Sequence, residues 1–149
     1  MAENVITDNN LIEELYNLES RIRFFNDEWD AFLEKLLHVV ERNVNSDGEK
    51  GFFELERTKK EDGKVVLKLL DAFQFTIEKV IRGKAFSIVV YELLGNDIDG
   101  KQIKKEISSY KHMFGEGWEN GTKLFASSPR ATREFAVSLL YKLIEHVNK

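Results

Sequence analysis

The chain has 149 residues, of which 42% are hydrophobic and 32% charged, with a net charge of −4 and no cysteine. This balance predicts one globular domain over residues 1–149 and excludes a disulfide framework, a thiolate nucleophile and a Cys-based zinc site. The acidic, polar start is unlike a secretory signal, and no apolar run approaches the roughly 20 residues of a membrane span. We therefore expect a cytoplasmic protein with no contact to membranes.

The first predicted element is one amphipathic helix over about residues 8–43. Thr7 is its expected N-cap, with Ile6 and Leu11 placed as a hydrophobic staple. At 1.5 Å per residue such a helix is about 50 Å long. Its apolar residues recur in steps of four and three, the 3.5-residue repeat of a helix that presents one continuous seam, at Leu11, Leu15, Leu18, Ile22, Phe25, Trp29, Phe32 and Leu36.

This seam has two interpretations. A coiled-coil homodimer is one, with charged residues flanking the core at Glu14, Arg21, Glu28 and Lys35. Packing inside the domain is the other, because Phe25, Trp29 and Phe32 are bulky for a coiled coil. The stripe is also wider than a coiled-coil seam, since it includes Ile12, Leu33, Leu37 and Val40. The two interpretations are compatible, because a helix of this length overhangs a small sheet.

The middle of the chain predicts a four-stranded antiparallel meander. Alternating apolar and polar residues place the strands at about 51–58, 64–70, 73–81 and 84–94. Asp62-Gly63 and Arg82-Gly83-Lys84 are the expected turns. The spacing in 64–82 also fits a single helix that ends at Gly83.

Two helices are predicted at the C-terminal end, separated by a glycine-rich loop at 115–122. The first, about 99–113, has Asp99 and Gln102 in capping-box positions, and the second, about 129–147, has Ser128 as cap and Pro129 as its first residue. The whole chain is thus expected to be α+β: a long N-terminal amphipathic helix, a four-stranded antiparallel β-meander and two C-terminal helices packed on one sheet face.

For function, we found no complete catalytic or cofactor motif, so we expect no cofactor and no metal, and no catalytic residue is assigned. A protein-binding or regulatory module that acts by occupying a protein partner, as an inhibitor, an immunity or antitoxin factor or a chaperone does, is the first hypothesis. Trp118, in the glycine-rich loop, is predicted either as an exposed anchor or as a plug of the core. A basic partner would meet the acidic surface of the helix, formed by Glu13, Glu14, Asp27, Glu28, Asp30 and Glu34.

The charge distribution supplies the alternative. Residues 1–50 carry 12 acidic and 5 basic side chains, whereas residues 101–149 carry 5 and 9. A binder of nucleic acid or of a phosphate ligand would use the basic residues Lys101, Lys104, Lys105, Lys111, Arg130 and Arg133. The isoelectric point of about 5.5 argues against nucleic acid. An enzyme built from the acids Glu54, Glu56 and Glu78 on one sheet face is the third hypothesis.

Overall fold

The computed structural model describes residues 7–45, 51–57, 63–121 and 123–149. A long N-terminal helix, α1, runs from Asp8 to His38. Its predicted cap is confirmed: the Thr7 hydroxyl oxygen accepts a hydrogen bond from the backbone N–H of Asn10 at 3.2 Å. Ile6, one half of the predicted staple, lies outside the described residues.

A π-helix, Val39–Val44, continues α1, so the helical segment ends close to the predicted residue 43. The Asn45 side chain then ties this end to the first strand through two hydrogen bonds to the backbone of Phe53. Its Nδ2 donates to the Phe53 carbonyl oxygen at 2.8 Å, and its Oδ1 accepts from the Phe53 N–H at 3.1 Å. The amide thereby satisfies both backbone groups of an edge residue, as a neighbouring strand would.

Seven strands form one antiparallel sheet in the described part of the chain. Their order in the sheet is their order in the sequence, so each strand pairs with the one before it. The first four match the predicted meander, and the alternative of a helix in 64–82 is wrong. The strands are β1 (Phe53–Arg57), β2 (Lys64–Leu69), β3 (Phe73–Arg82), β4 (Ala85–Asn96), β5 (Gln102–Met113), β6 (Gly117–Asn120) and β7 (Lys123–Phe125).

The predicted helix at 99–113 is wrong, because this segment forms β5. The Asp97 carboxylate accepts the N–H groups of Asp99 and Lys101 at 2.9 and 2.8 Å, and Gly100 has a φ of +80°. Asp99 therefore lies in a hairpin turn and does not cap a helix. β5 pairs along almost the whole of the 12-residue β4, and this ladder outweighs the weak local preference for a helix.

The predicted glycine-rich loop is also folded into the sheet, as β6 and β7. Gly117 has a φ of +121°, and a Cβ atom there would lie 1.9 Å from the carbonyl oxygen of Phe125. Only glycine allows β6 to approach the end of β7 this closely. The described residues thus contain seven strands rather than four, and one C-terminal helix rather than two.

That C-terminal helix, α2, spans Pro129–Val147 and confirms the predicted range 129–147. The Ser128 hydroxyl oxygen accepts the N–H of Ala131 at 3.2 Å, and Pro129 is the first helical residue, as predicted. No helix in the described ranges is long and apolar enough to cross a membrane.

Both helices pack on the same face of the sheet. Val65, Ile77 and Val90 form one row across β2, β3 and β4 on this face, and each is at most 1% exposed. Above them, Phe32 of α1 stacks on Phe135 of α2 with ring centres 4.5 Å apart. The sheet face and the two helices therefore enclose one hydrophobic core.

Candidate functional site

The first half of α1 stands away from the rest of the domain. Every side chain from Asp8 to Phe24 is exposed, and Phe25 is the first buried residue of the helix. These 17 residues correspond to about 25 Å of helix. We call residues 8–24 the protruding segment.

The protruding segment carries an apolar stripe that continues the seam of the buried half. Leu11, Leu15, Leu18 and Ile22 are 55, 56, 45 and 36% exposed, and we call these four residues the exposed seam. The remaining seam positions are at most 3% exposed: Phe25, Trp29, Phe32 and Leu36. Continuous apolar stripes on a monomer mark interaction sites more often than scattered apolar residues do.

Contacts where α1 meets the sheet fix the direction in which the protruding segment leaves the domain. The guanidinium carbon of Arg21 lies 4.5 Å from the ring centre of Phe114 and 5.2 Å from that of Phe86. One turn further on, Lys79 of β3 donates a hydrogen bond from Nζ to Oδ1 of Asn26 at 3.0 Å. The last turn of the protruding segment, from Arg21 onward, thus lies against the sheet, and this contact sets the direction of the helix.

The predicted partner-binding carboxylates of α1 separate into two groups. Glu28 is only 8% exposed and faces the domain, so its prediction as a surface contact is wrong. The other five are exposed, and none is in an ion pair within the described ranges: Glu13, Glu14, Asp27, Asp30 and Glu34. Helical spacing puts all of these except Glu14 opposite the seam, and we call those four residues the acidic ridge.

Trp118 is not a surface anchor. Its side chain is fully buried in β6, with ring centres 5.8 Å from Phe25, 4.7 Å from His112 and 5.8 Å from Phe135. The prediction of an exposed Trp118 is therefore wrong, and the alternative, that it plugs the core, is correct.

His112 is a core residue whose burial was not predicted from the sequence. It is 3% exposed, and its ring lies within 6 Å of the rings of Phe24, Phe25, Phe114 and Trp118. Burial lowers the pKa of His112 to about 4, so the imidazole is neutral at pH 7. The alternation of Tyr110 and His112 along a strand would have been the signal, had the segment been assigned as β5.

Polar atoms without partners concentrate around this histidine. Among the described residues, both ring nitrogens of His112, the Tyr110 hydroxyl and the Trp118 Nε1 are buried without a hydrogen bond. Burial also raises the pKa of Tyr110, with the nearby Ser108 side chain opposing the shift. Buried unpartnered groups are destabilising, so this cluster is a weak point of the core at the place where α1 leaves the domain.

The basic residues of the alternative hypothesis do not lie on one surface. The strand register puts Lys104 and Lys111 on the sheet face away from the helices and Lys105 on the helix-bearing face. Lys104 is paired with Glu78 at 3.0 Å. Lys101 lies in the β4–β5 turn, and two further residues lie on α2, Arg130 and Arg133.

The acids of the enzyme hypothesis line neither of the two grooves described below. Glu56 is paired with Lys68 at 3.1 Å, and Glu78 with Lys104. A polar groove of about 380 Å³ is lined by Lys68, Asp71, Ala72, Gln74, Leu93, Gly95, Asn96 and Gln102. An apolar groove of about 260 Å³ is lined by Val44, Phe52, Phe53, Leu69, Leu70, Phe73, Ile144, Val147 and Asn148.

Comparison with protein-family profiles, with curated proteins and with solved structures gives no significant match in any of the three.

Proposed function

We propose that the protein is a regulatory protein-binding module that acts by occupying another protein, and that α1 carries the contact surface. The observation that supports this most is the protruding segment, about 25 Å of helix whose side chains are all exposed. A helix held out from its domain, with apolar residues along one side, is the geometry by which a protein inserts into a partner's groove or pairs with a partner's helix.

The acidic ridge defines the chemistry of the heterologous partner. Its four carboxylates are exposed and unpaired in the described part of the chain, and they continue from the protruding segment along the outer side of the anchored half. A basic protein surface complements such a row, and the complementarity accelerates encounter and selects the partner. Inhibitors, immunity or antitoxin factors and chaperones are proteins that work in this way, by covering a partner.

The test is a pull-down from source cells with the full chain as bait. The ridge variant is the triple substitution Glu13→Lys, Asp27→Lys and Glu34→Lys. We expect the wild-type chain to retain a basic protein that salt releases, and the variant to bind that purified protein at least about tenfold more weakly in calorimetry.

A matched control reverses three exposed carboxylates elsewhere: Glu54→Lys, Glu116→Lys and Glu145→Lys. It changes the net charge by the same amount and should leave the affinity within about twofold. Equal retention of the same proteins by wild type, ridge variant and control would overturn the proposal.

A further inference from the structure

We infer that the exposed seam pairs with the exposed seam of a second copy of this chain, and that the two protruding segments lie antiparallel. The inference rests on the proposed function in one respect, namely that the protruding segment is a protein-binding surface. It assigns the apolar side of that segment to self-association and leaves the acidic ridge to the heterologous partner.

The composition of the seam supports pairing with a helix. Where the seam is buried in the domain, three of its four residues are aromatic, Phe25, Trp29 and Phe32. Where it is exposed, it contains only leucine and isoleucine, the residues that form regular knobs-into-holes layers between two helices. The seam thus changes residue type at the point where it changes from buried to exposed.

The exposed seam is bounded on both sides. Asp8 occupies the next seam position towards the N-terminus, where a carboxylate ends the apolar run, and Phe25 occupies the next position towards the C-terminus, where the domain already covers it. Four seam residues remain. In two copies related by a two-fold axis, these four residues can pair with the same four residues of the partner subunit. Leu11 then faces Ile22 of the partner subunit, and Leu15 faces Leu18 of the partner subunit, each contact occurring twice.

Charges beside the seam select the orientation. In an antiparallel pair with this register, Glu14 lies beside the partner's Arg21. The two-fold axis produces a second, identical contact in which the two subunits exchange roles. In a parallel pair, Glu14 would lie beside the partner's Glu19, and the repulsion would occur twice. Opposite charges across the interface therefore favour the antiparallel pair.

Arg21 and Glu14 are both available for this contact. Neither has an ion-pair partner within the described residues. The guanidinium group of Arg21 is positioned by the Phe114 ring, 4.5 Å from its centre. A guanidinium group that lies over an aromatic ring still has N–H groups with which to bind a carboxylate.

The size of the interface predicts a weak dimer. Two protruding segments overlap over about 25 Å of helix, each about 10 Å wide, which puts the contact at the small end of specific interfaces. We therefore expect a monomer–dimer equilibrium with a dissociation constant on the order of 10 µM. The acidic ridges face outward on the two sides of such a dimer.

Sedimentation equilibrium of the full chain from about 1 to 500 µM tests the association. We expect wild type to shift from monomer to dimer and the variant Leu15→Glu with Leu18→Glu to remain a monomer at every concentration. The control Tyr16→Glu replaces a neighbouring side chain that is 65% exposed and lies outside the seam, and it should associate like wild type. Unchanged thermal melts at low concentration show that all three chains are folded, because none of these side chains is in the core.

Cysteine cross-linking tests the orientation, because the chain has no cysteine of its own. Equal amounts of Leu11→Cys and of a size-tagged Ile22→Cys are mixed and oxidised gently. The antiparallel register brings residues 11 and 22 together, so the mixed disulfide should predominate over either homodisulfide. Predominance of the two homodisulfides would overturn the antiparallel arrangement.

Charge substitutions test the orientation independently, because the same substitution is expected to weaken an antiparallel dimer and to strengthen a parallel one. Glu14→Arg should weaken an antiparallel dimer by about tenfold, and adding Arg21→Glu should restore it. In a parallel dimer the first substitution would strengthen association instead, by removing the repulsion from the partner's Glu19.

The outcomes separate this inference from the proposed function. A wild-type chain that stays monomeric at about 500 µM overturns self-association, whereas capture of a basic partner depends on the acidic ridge and is measured by the ridge variant. Conversely, a dimer whose ridge variant binds the same proteins as wild type overturns the proposed function and leaves the dimer in place.

Discussion

The two halves of α1 have the same spacing of apolar residues and opposite environments. From Phe25 to Leu36 the seam is buried against the sheet and α2, and from Leu11 to Ile22 it is open. The 4-3 repeat therefore specifies a helix with one apolar side, but it does not specify what covers that side. Residue size carries the additional information, since the aromatic half is the half that fills the domain's own core.

The halves also differ in what keeps them helical. The buried half is stabilised by tertiary packing, with Phe32 stacked on Phe135. The protruding half makes few such contacts, and a helix of its length is marginally stable in water. It is helical because it extends a segment that is already nucleated and because Thr7 caps its first turn.

The largest difference in the free energy of unfolding should appear when leucine is replaced by alanine at one buried and at one exposed position of the seam. Leu36→Ala removes a side chain with no exposed surface and should lower the free energy of unfolding by about 3 kcal/mol. Leu15→Ala, at a position 56% exposed, should change it by less than about 0.5 kcal/mol in the monomer. Urea denaturation at low protein concentration measures both. A similar loss at the two positions would contradict the division of the helix.

His112 lies where the two halves of α1 meet, and its burial makes the stability of the protein depend on pH. The pKa of His112 is about 4 in the folded protein against 6.5 for a free imidazole, so the unfolded chain binds a proton first. The contribution of His112 to stability is complete above pH 6.5, falls as the pH drops from 6.5 to 4, and stays level below that range. The difference in pKa corresponds to about 3 kcal/mol.

The measurement is the free energy of unfolding between pH 7 and pH 4, compared between wild type and His112→Phe. The phenyl ring suits the aromatic surroundings and carries no unpartnered nitrogen, so the variant should lack this acid-dependent loss and be at least as stable at pH 7. His38→Phe, at an exposed histidine, is the control and should keep the wild-type profile. An identical pH profile for His112→Phe would show that this histidine does not titrate as its burial implies.

Some elements of the fold are determined by the spacing of apolar residues and by capping residues, and these elements could be predicted from the sequence. α1 with its Thr7 cap, the first four strands and α2 with its Ser128 cap all follow from periodicity and capping residues. Residues 99–113 were assigned wrongly because Asp99 and Gln102 are spaced as in a capping box, whereas pairing with β4 decides their structure. Contacts between distant segments override weak local preference.

Part of the candidate site could likewise be predicted from the sequence, and part could not. The overhang of α1 and its exposed acids could be anticipated from the length and charge pattern of the helix. The burial of Trp118 could not, because it depends on Phe25, His112 and Phe135, which come from three different elements. Glycines around a tryptophan are typical of a loop, but here Gly115 and Gly121 lie in hairpin turns and Gly117 begins β6.

The smallest effect tests whether the two halves unfold together. Asn17 and Ala31 are both exposed, lie on the same side of α1 and are 14 residues apart, one in each half. Asn17→Ala should stabilise the helix locally by about 0.5 kcal/mol, and Ala31→Asn should destabilise it by a similar amount.

Because the protruding half frays without unfolding the domain, Asn17→Ala should slow amide hydrogen exchange between residues 8 and 24 and leave the melting temperature nearly unchanged. Ala31→Asn should lower the melting temperature, since the anchored half unfolds with the core. Both measurements are made at concentrations where the chain is monomeric. Equal and opposite shifts in melting temperature would mean that α1 is one cooperative unit, and that the protruding half is stabilised by the domain despite its few contacts with it.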